Sequence, residues 1–229
     1  DNPIAYANLA LGQIQELRAA VLEARGASRE SLRGQYQRAQ TNTADALRGL
    51  RTTLPADNDI VLQVRRRQAG LYLKLGQLPA ARKEAEDAFA LFRQGHPRED
   101  QDFVARGLFH HLLLDIEDHA DKPAQAARHA AAHRRLSAGR LVTYLSGLTA
   151  PEQIKFFRMW DDPGLHASMR LGIRPKSPPT LRERSAEWLI NGKARTAEVM
   201  ARVNLRERGG EDYRKYQQSV RRQAYLLYG

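Results

Sequence analysis

The sequence predicts an all-α fold, arranged as a short α-solenoid of helix pairs followed by a C-terminal helical segment. Apolar residues recur every three to four positions over most of the chain, as they do along one face of an α-helix. No sustained apolar/polar alternation indicates a strand, and no Asn-Gly hairpin joins β-branched runs. Helix pairs cannot bury both faces alone, so stacking into a solenoid is the simplest architecture for them.

The first two predicted helices occupy the N-terminal quarter of the chain. The first has an apolar stripe that ends near Gly26 and comprises Ile4, Leu11, Ile14, Leu17, Val21 and Leu22. The second runs from about Ser28 to Thr52, with inward-facing positions at Leu32, Tyr36, Ala39, Thr43, Leu47 and Leu50. A loop then follows, and Asp59 is predicted to cap the third helix.

Residues 60–92 contain the clearest helix pair. Gly76 supplies the left-handed conformation that ends its first helix, and Pro79 suits the first turn of its second. The pair resembles a tetratricopeptide repeat, whose small, aromatic and Leu-Gly positions are matched by Ala69, Tyr72, Leu75, Gly76, Ala81 and Ala88. Arg65 departs from that repeat, which usually has Trp or Leu there. The resemblance implies that residues 1–147 are stacked helix pairs.

The next pair turns at Asp121, 45 residues after Gly76, so its helices or linker are longer than the roughly 34-residue repeat requires. After Gly147 the pattern changes. Thr149 and Glu152 form a capping box that opens a helix containing Ile154, Phe156, Phe157 and Trp160. A Pro-rich loop at 174–179 precedes a long helix. We therefore predict a second region at 148–229 that links or caps the repeats.

Composition excludes several functions. The chain has no Cys, which removes disulfides, thiolate nucleophiles and Cys-containing zinc sites. No apolar run approaches the roughly 20 residues that span a bilayer, and the first residues lack the pattern of a signal peptide. We therefore expect a cytoplasmic protein without a membrane span. The formal charge of +11 could attract phosphate backbones, anionic lipids or acidic protein surfaces.

Histidines are the best candidates for chemistry. His129 and His133 are spaced by four residues on one helix, as two metal ligands can be, but no third ligand or HExxH pattern accompanies them and their neighbours are Ala and Arg. His110, His111 and His119 have acidic neighbours, yet the chain has no GxSxG turn. The nucleotide-binding patterns GxxxxGK[ST] and GxGxxG are also absent. We predict no catalytic residue, no metal and no cofactor.

The stretch AEWLINGKARTAEVMAR, residues 186–202, raises a more specific possibility. It is similar to the segment between the tetratricopeptide repeats and the protease domain of CHAT-family proteins, which are caspase-like. The matching positions are Ala186, Glu187, Trp188, Leu189, Asn191, Lys193, Ala197 and Glu198. Residues 149–153 and the Phe156-Phe157 helix resemble the element that precedes it. Gly192 departs from the pattern, because many relatives have a larger polar or basic residue there.

The resemblance implies that catalysis and partner binding lie in different parts of the protein. Catalytic His and Cys residues of that family lie in a downstream domain. This chain would then be the non-catalytic, regulatory helical scaffold of a CHAT-type cysteine protease, which binds a partner or regulator and controls an attached or separated protease domain. Asn191 and Lys193 would then be structural residues. Gly192 inside a helix costs about 1 kcal/mol relative to Ala, which suggests that a neighbouring backbone approaches it.

The partner-binding surface is predicted on the first helix of each pair, because those helices line the concave side of such repeats. Alignment on the turns selects seven residues: Arg66, Leu73, Lys74, His111, Asp115, Asp118 and His119. Their charges would suit an acidic or C-terminal peptide. The alternative is a basic nucleic-acid-binding protein, although Arg clusters such as 65–67 and 221–222 contain few aromatics for base stacking.

Overall fold

The computed structural model describes residues 2–98, 102–145, 151–152, 155, 162–175 and 177–207. These ranges contain helices, turns and loops but no strand, which confirms the predicted all-α class. The main helices in them are α1 (Pro3–Ala24), α2 (Arg29–Leu50), α3 (Asp59–Lys74), α4 (Leu78–Gly95), α5 (Phe103–His119), α6 (Pro123–Leu145), α7 (Asp162–Ile173) and α8 (Pro179–Glu207). The predicted capping residue Thr149 and the apolar and aromatic residues Ile154, Phe156, Phe157 and Trp160 of the predicted next helix lie outside the described residues.

The chain divides into two compact units, Asp1–Arg140 and Leu141–Gly229. In the first unit, helices that follow one another along the chain pack together: α1 on α2, α2 on α3, α3 on α4 and α4 on α5. The first helices of two successive pairs, α3 and α5, also contact each other. This arrangement is that of a short helical solenoid, in which each pair covers the apolar face of the next.

Three helix pairs share one turn geometry. The second residue after each first helix has a positive φ: +74° at Gly26, +76° at Gly76 and +54° at Asp121. At each turn its N–H donates to a carbonyl three residues earlier, and the following N–H donates to a carbonyl five residues earlier. This double hydrogen bond is the Schellman motif, which satisfies the last carbonyls of a helix. The prediction for Gly76 is confirmed, and the same device recurs at 50- and 45-residue intervals.

Substitution of Gly76 by Ala is expected to lower the free energy of unfolding by about 1 kcal/mol, because an L side chain is strained at this φ although no neighbouring atom lies within 4 Å. The matched control is Gly70→Ala within α3, where there is also open space and φ is ordinary. Gly70→Ala is expected to raise the free energy of unfolding by about 0.5–1 kcal/mol. Urea denaturation of both variants measures the difference, and equal effects would contradict this account of the turns.

The core of the first unit follows the stacked helices. One cluster joins α3, α4 and α5 through Leu62, Ala69, Ala81, Ala85, Ala88, Phe89, Phe92, Phe109, Leu113 and Ile116. Two smaller clusters join α1, α2 and α3; Ala5, Leu50, Val61 and Val64 form one, and Ala19, Tyr36, Ala39 and Leu71 form the other. The inward positions predicted for the second helix are therefore largely confirmed, and the small repeat-matching residues Ala69, Ala81 and Ala88 are fully buried.

Helix α1 packs through small residues rather than through its apolar stripe. Its buried residues are Ala5, Gly12 and Ala19, which face α2 at seven-residue spacing. A Cβ atom on Gly12 would lie 2.9 Å from Thr43 Oγ1 and 3.3 Å from the carbonyl oxygen of Ala39. The larger residues of the stripe are exposed, including Ile4, Leu11, Ile14, Leu17 and Val21. Close backbone approach thus decides which face of α1 is buried.

Side-chain polar groups refine two of the predictions from sequence. The cap of α3 is Asn58, whose side chain accepts a hydrogen bond from the N–H of Ile60 at 3.0 Å, so the prediction of Asp59 was wrong by one residue. Arg65, which departs from the repeat pattern, pairs with Glu84 of α4 at 2.6 Å. An ion pair therefore joins the two helices where the repeat usually has an apolar contact.

In the second unit, α7 and α8 form a closely packed pair. Among the α8 residues whose burial the structure describes, Leu181, Ser185, Trp188 and Gly192 are buried. A Cβ atom on Gly192 would lie 2.6 Å from Leu165 Cδ2, so a side chain approaches this glycine, rather than the backbone that the sequence suggested. Ile190, two residues after the buried Trp188, is 66% exposed. Of the helices described, none is both long and apolar enough to cross a membrane.

Candidate functional site

A groove in the first unit lies across the first helices of the three pairs. Its volume is about 480 Å³, and α1, α3 and α5 supply most of its walls. The lining residues are Leu9, Gln13, Glu16, Ala20 and Glu23 of α1, Tyr36 of α2, Ile60, Gln63, Val64, Arg66, Arg67, Gly70, Leu71 and Lys74 of α3, and Leu112 of α5. This volume is typical of sites that hold small molecules or the side chains of a bound segment, about 300–1,000 Å³.

Helix α3 presents one face to the groove and the opposite face to the core. Ile60, Gln63, Arg67, Gly70 and Lys74 follow the three- and four-residue spacing of a single helical face. Gly70 has no neighbouring atom within 4 Å of the position of a Cβ. The groove is open at this point because the residue has no side chain.

The acidic wall of the groove comes from α1. Glu16 forms an ion pair with Nε of Arg67, which ties α1 to α3. Glu23 Oε2 accepts a hydrogen bond from the Tyr36 hydroxyl at 3.3 Å. Burial, and then the charge of Glu23, raises the pKa of Tyr36, so this phenol remains a neutral hydrogen-bond donor. The two carboxylates are thus engaged with groups of the protein itself.

The basic wall comes from α3 and contains an unpaired guanidinium. Among the residues that the structure describes, none forms a hydrogen bond or ion pair with Arg66, which is half-buried. Burial, and then the neighbouring charge of Arg67, lowers the pKa of Arg66, whereas Glu16 raises it. Lys74 lies beyond it, with Nζ 5.9 Å from the centre of the Tyr36 ring. A half-buried cation without a partner favours the binding of an anion.

The structure brings together two of the seven residues predicted to bind a partner. Arg66 and Lys74 line the groove, but Leu73 packs against the core cluster of α3, α4 and α5. The four residues predicted on α5 do not line the groove either. Asp118 is buried, the imidazole of His111 lies 3.5 Å from Asp115, and His119 bonds to the carbonyl of Asp115 at 2.8 Å.

Sequence reasoning missed the contribution of α1. Gln13, Glu16 and Glu23, with Ala20 between the two carboxylates, form a largely polar stripe with three- and four-residue spacing, on a different side of the helix from its small buried residues. Treating α1 as the first helix of a repeat pair would have identified this stripe. In the part of the chain that is described, no group of three or more His, Asp or Glu side chains could hold a metal ion.

Comparisons with known proteins identify no relative. No family model matches the chain, and no curated protein or solved structure matches it. The groove and its unpaired Arg66 are therefore the features that a functional proposal has to explain.

Proposed function

We propose that this chain is a helical-repeat interaction module that binds an acidic segment of a partner protein in the groove between α1 and α3. The observation that carries the proposal is Arg66, a half-buried cation that lines the groove and has no partner among the described residues. A carboxylate of the partner would satisfy it with charge-assisted hydrogen bonds, which are about twice as strong as neutral ones.

The chemistry of the groove defines the ligand further. Apolar side chains line it alongside the cations, among them Leu9, Ile60, Val64, Leu71 and Leu112. A segment with an aliphatic side chain next to Asp, Glu or a C-terminal carboxylate would contact both kinds of surface. Extended segments bind repeat surfaces in this way, with pockets for side chains and polar groups that fix their orientation.

Nucleic acid suits this groove less well. Glu16 and Glu23 lie in the same groove as Arg66 and Lys74, so the regularly spaced phosphates of a nucleic acid would meet carboxylates as well as cations, whereas a single carboxylate of a partner has to reach only Arg66. The alternative makes a distinct prediction, because phosphate-driven binding weakens steeply between roughly 50 and 200 mM salt. Peptide binding through apolar contacts and one partly buried ion pair should weaken much less over that range.

Selection of 12-residue peptides on the purified chain should enrich sequences that combine aliphatic and acidic residues. Affinity for a selected peptide is expected to fall about tenfold or more in Arg66→Ala, because a hydrogen-bonded charge contributes about 1.5–3 kcal/mol. The control is Lys83→Ala, which removes an exposed cation outside the groove and should leave affinity unchanged. Equal affinity for wild type and Arg66→Ala would exclude Arg66 as the anion site.

We also propose that the module belongs to a CHAT-type protease and has no catalytic role of its own. The resemblance at 186–193 supports this, as does the burial of Trp188, one of the matching residues, in α8. Side chains used in packing suit a structural signature. The mass of the intact polypeptide from its own cell provides the test. A mass near 25.9 kDa would contradict the attached protease domain, and a much larger mass is expected.

A further inference from the structure

Four imidazoles meet where α5 packs against α6. The ring centres of His110 and His129 are 5.5 Å apart, and those of His111 and His133 are 5.9 Å apart. His110 also packs edge-on against Phe89 of α4, with ring centres 4.9 Å apart. His133 is buried, at 1% exposure. The groove described above uses none of these side chains.

The contact between His110 and His129 depends on their protonation. Their Nδ1 atoms are 3.1 Å apart, a distance at which one Nδ1–H donates to the lone pair of the other. A doubly protonated imidazole has no lone pair and can only donate. Protonation of both rings would therefore replace the hydrogen bond with two opposed N–H groups and two like charges.

Basic residues dominate the surroundings of the cluster. The charged groups that face it are Arg93 of α4, Arg106, Asp115 and Glu117 of α5, and Arg128, Arg134 and Arg135 of α6. Glu117 is already held by Arg82 through two hydrogen bonds of 2.7 Å, and Asp115 lies beside His111. Added protons would therefore meet more positive charge than negative charge.

Burial, like the surrounding positive charges, disfavours protonation of these imidazoles. Desolvation, and then the neighbouring imidazoles and arginines, lowers the pKa of His110 and of His133 to about 3. Burial is also the main cause of the lowered pKa of His129. An exposed His in an unfolded or opened segment has a pKa near 6.5. The packed arrangement thus binds fewer protons than the opened one between about pH 3 and pH 6.5.

We propose that His110, His129 and His133, with His111 packed against His133, form a proton-sensitive latch, which holds α6 against α5 while the first three imidazoles are neutral and releases it as the pH falls. Groups with a lowered pKa in the packed state give full stability above about pH 6.5, and this stability is lost as the pH falls toward 3. Lowering the pH from 7.5 to 5.0 should increase the equilibrium constant for separation of α6 from α5. Protonation of His110 and of His133 should each contribute about 30-fold to this increase, or about 1,000-fold together.

Hydrogen exchange of the full chain at pH 7.5 and 5.0 tests the latch, with rates corrected for the intrinsic effect of pH. Protection of amides at 126–137 in α6 should fall about 1,000-fold. Residues 1–95 contain no histidine, so protection in α1 and α2 should change much less and serves as an internal control. Unchanged protection of α6 at pH 5.0 would overturn the proposal.

Two variants test whether the loss of α6 protection at low pH arises from this cluster or from acid sensitivity of the whole chain. His110→Phe keeps an aromatic ring against Phe89 but cannot take up a proton, so the loss of protection should shrink to about 30-fold. His119→Gln removes an exposed histidine from the same helix and should keep the full effect. An unchanged response in folded His110→Phe would overturn the proposal.

If His110→Phe does not fold, NMR titration of the wild-type histidine ring protons decides the question. The ring resonances of His110 and His133 should not titrate above about pH 5 while α6 stays packed, because burial strongly lowers the pKa of both. Titration of His110 and His133 near pH 6.5 with α6 protection intact would overturn the latch.

Discussion

Replacement of Arg82 by Met is expected to lower the free energy of unfolding by about 3–5 kcal/mol at neutral pH. Arg82 of α4 donates two hydrogen bonds of 2.7 Å to the carboxylate of Glu117, whose side chain is only 5% exposed. Removal of the guanidinium would leave that carboxylate buried without its partner between α4 and α5. The loss of a buried charge's partner is among the most costly of single substitutions.

The next residue along the chain supplies a control. Lys83 pairs with Asp87 at 3.0 Å, but its side chain is 78% exposed, so Lys83→Ala should change stability by less than about 0.5 kcal/mol. The double variant Arg82→Met/Glu117→Gln should recover part of the loss, because no charge is then buried. Urea denaturation measures all three variants. A cost below 1 kcal/mol for Arg82→Met would show that the pair does not hold α4 against α5.

Replacement of Gly12 by Val should cost about 3 kcal/mol, because it forces apart α1 and α2. The Cβ alone would lie 2.9 Å from Thr43 Oγ1 and 3.3 Å from the carbonyl oxygen of Ala39. Thr43 is fully buried, so neither neighbour can move away easily. The two methyl groups of Val make the overlap worse.

Gly34→Val provides the comparison, since Gly34 lies within α2 and has no atom within 4 Å of a Cβ position. It should change stability by less than about 0.5 kcal/mol, because Val and Gly differ little in helix propensity. Urea midpoints of the two variants give the difference. Similar stability would mean that α1 and α2 do not depend on the close approach at Gly12.

The helix pairs were predictable because their signals are local. Gly76 and Pro79 mark a turn by their own backbone preferences, and the small residues of α4 are spaced for helix packing. The face of α1 that is buried could not be predicted from the hydrophobic pattern. Hydrophobic periodicity gives weight to Leu17 and Val21, whereas the interface with α2 is decided by Gly12 and the alanines, which a scale of hydrophobicity ranks low.

The candidate site was predicted in part for a similar reason. Alignment on the turns fixes how far along a helix a residue lies, but it does not fix the rotation of that helix. Lys74 faces the groove, whereas Leu73 is rotated by about 100° and packs on the core. On α5 the rotation places Leu112 in the groove and turns the neighbouring His111 toward His133. Contacts between helices set these rotations.

Binding of a selected acidic peptide to Gly70→Trp tests the central claim most directly. Gly70 lines the open part of the groove, so an indole there should fill the groove without disturbing the packing of α3. Gly34→Trp is the matched control, because Gly34 also has open space but lies outside the groove. The groove account predicts that Gly70→Trp abolishes binding while Gly34→Trp binds like wild type. Wild-type affinity in folded Gly70→Trp would contradict it.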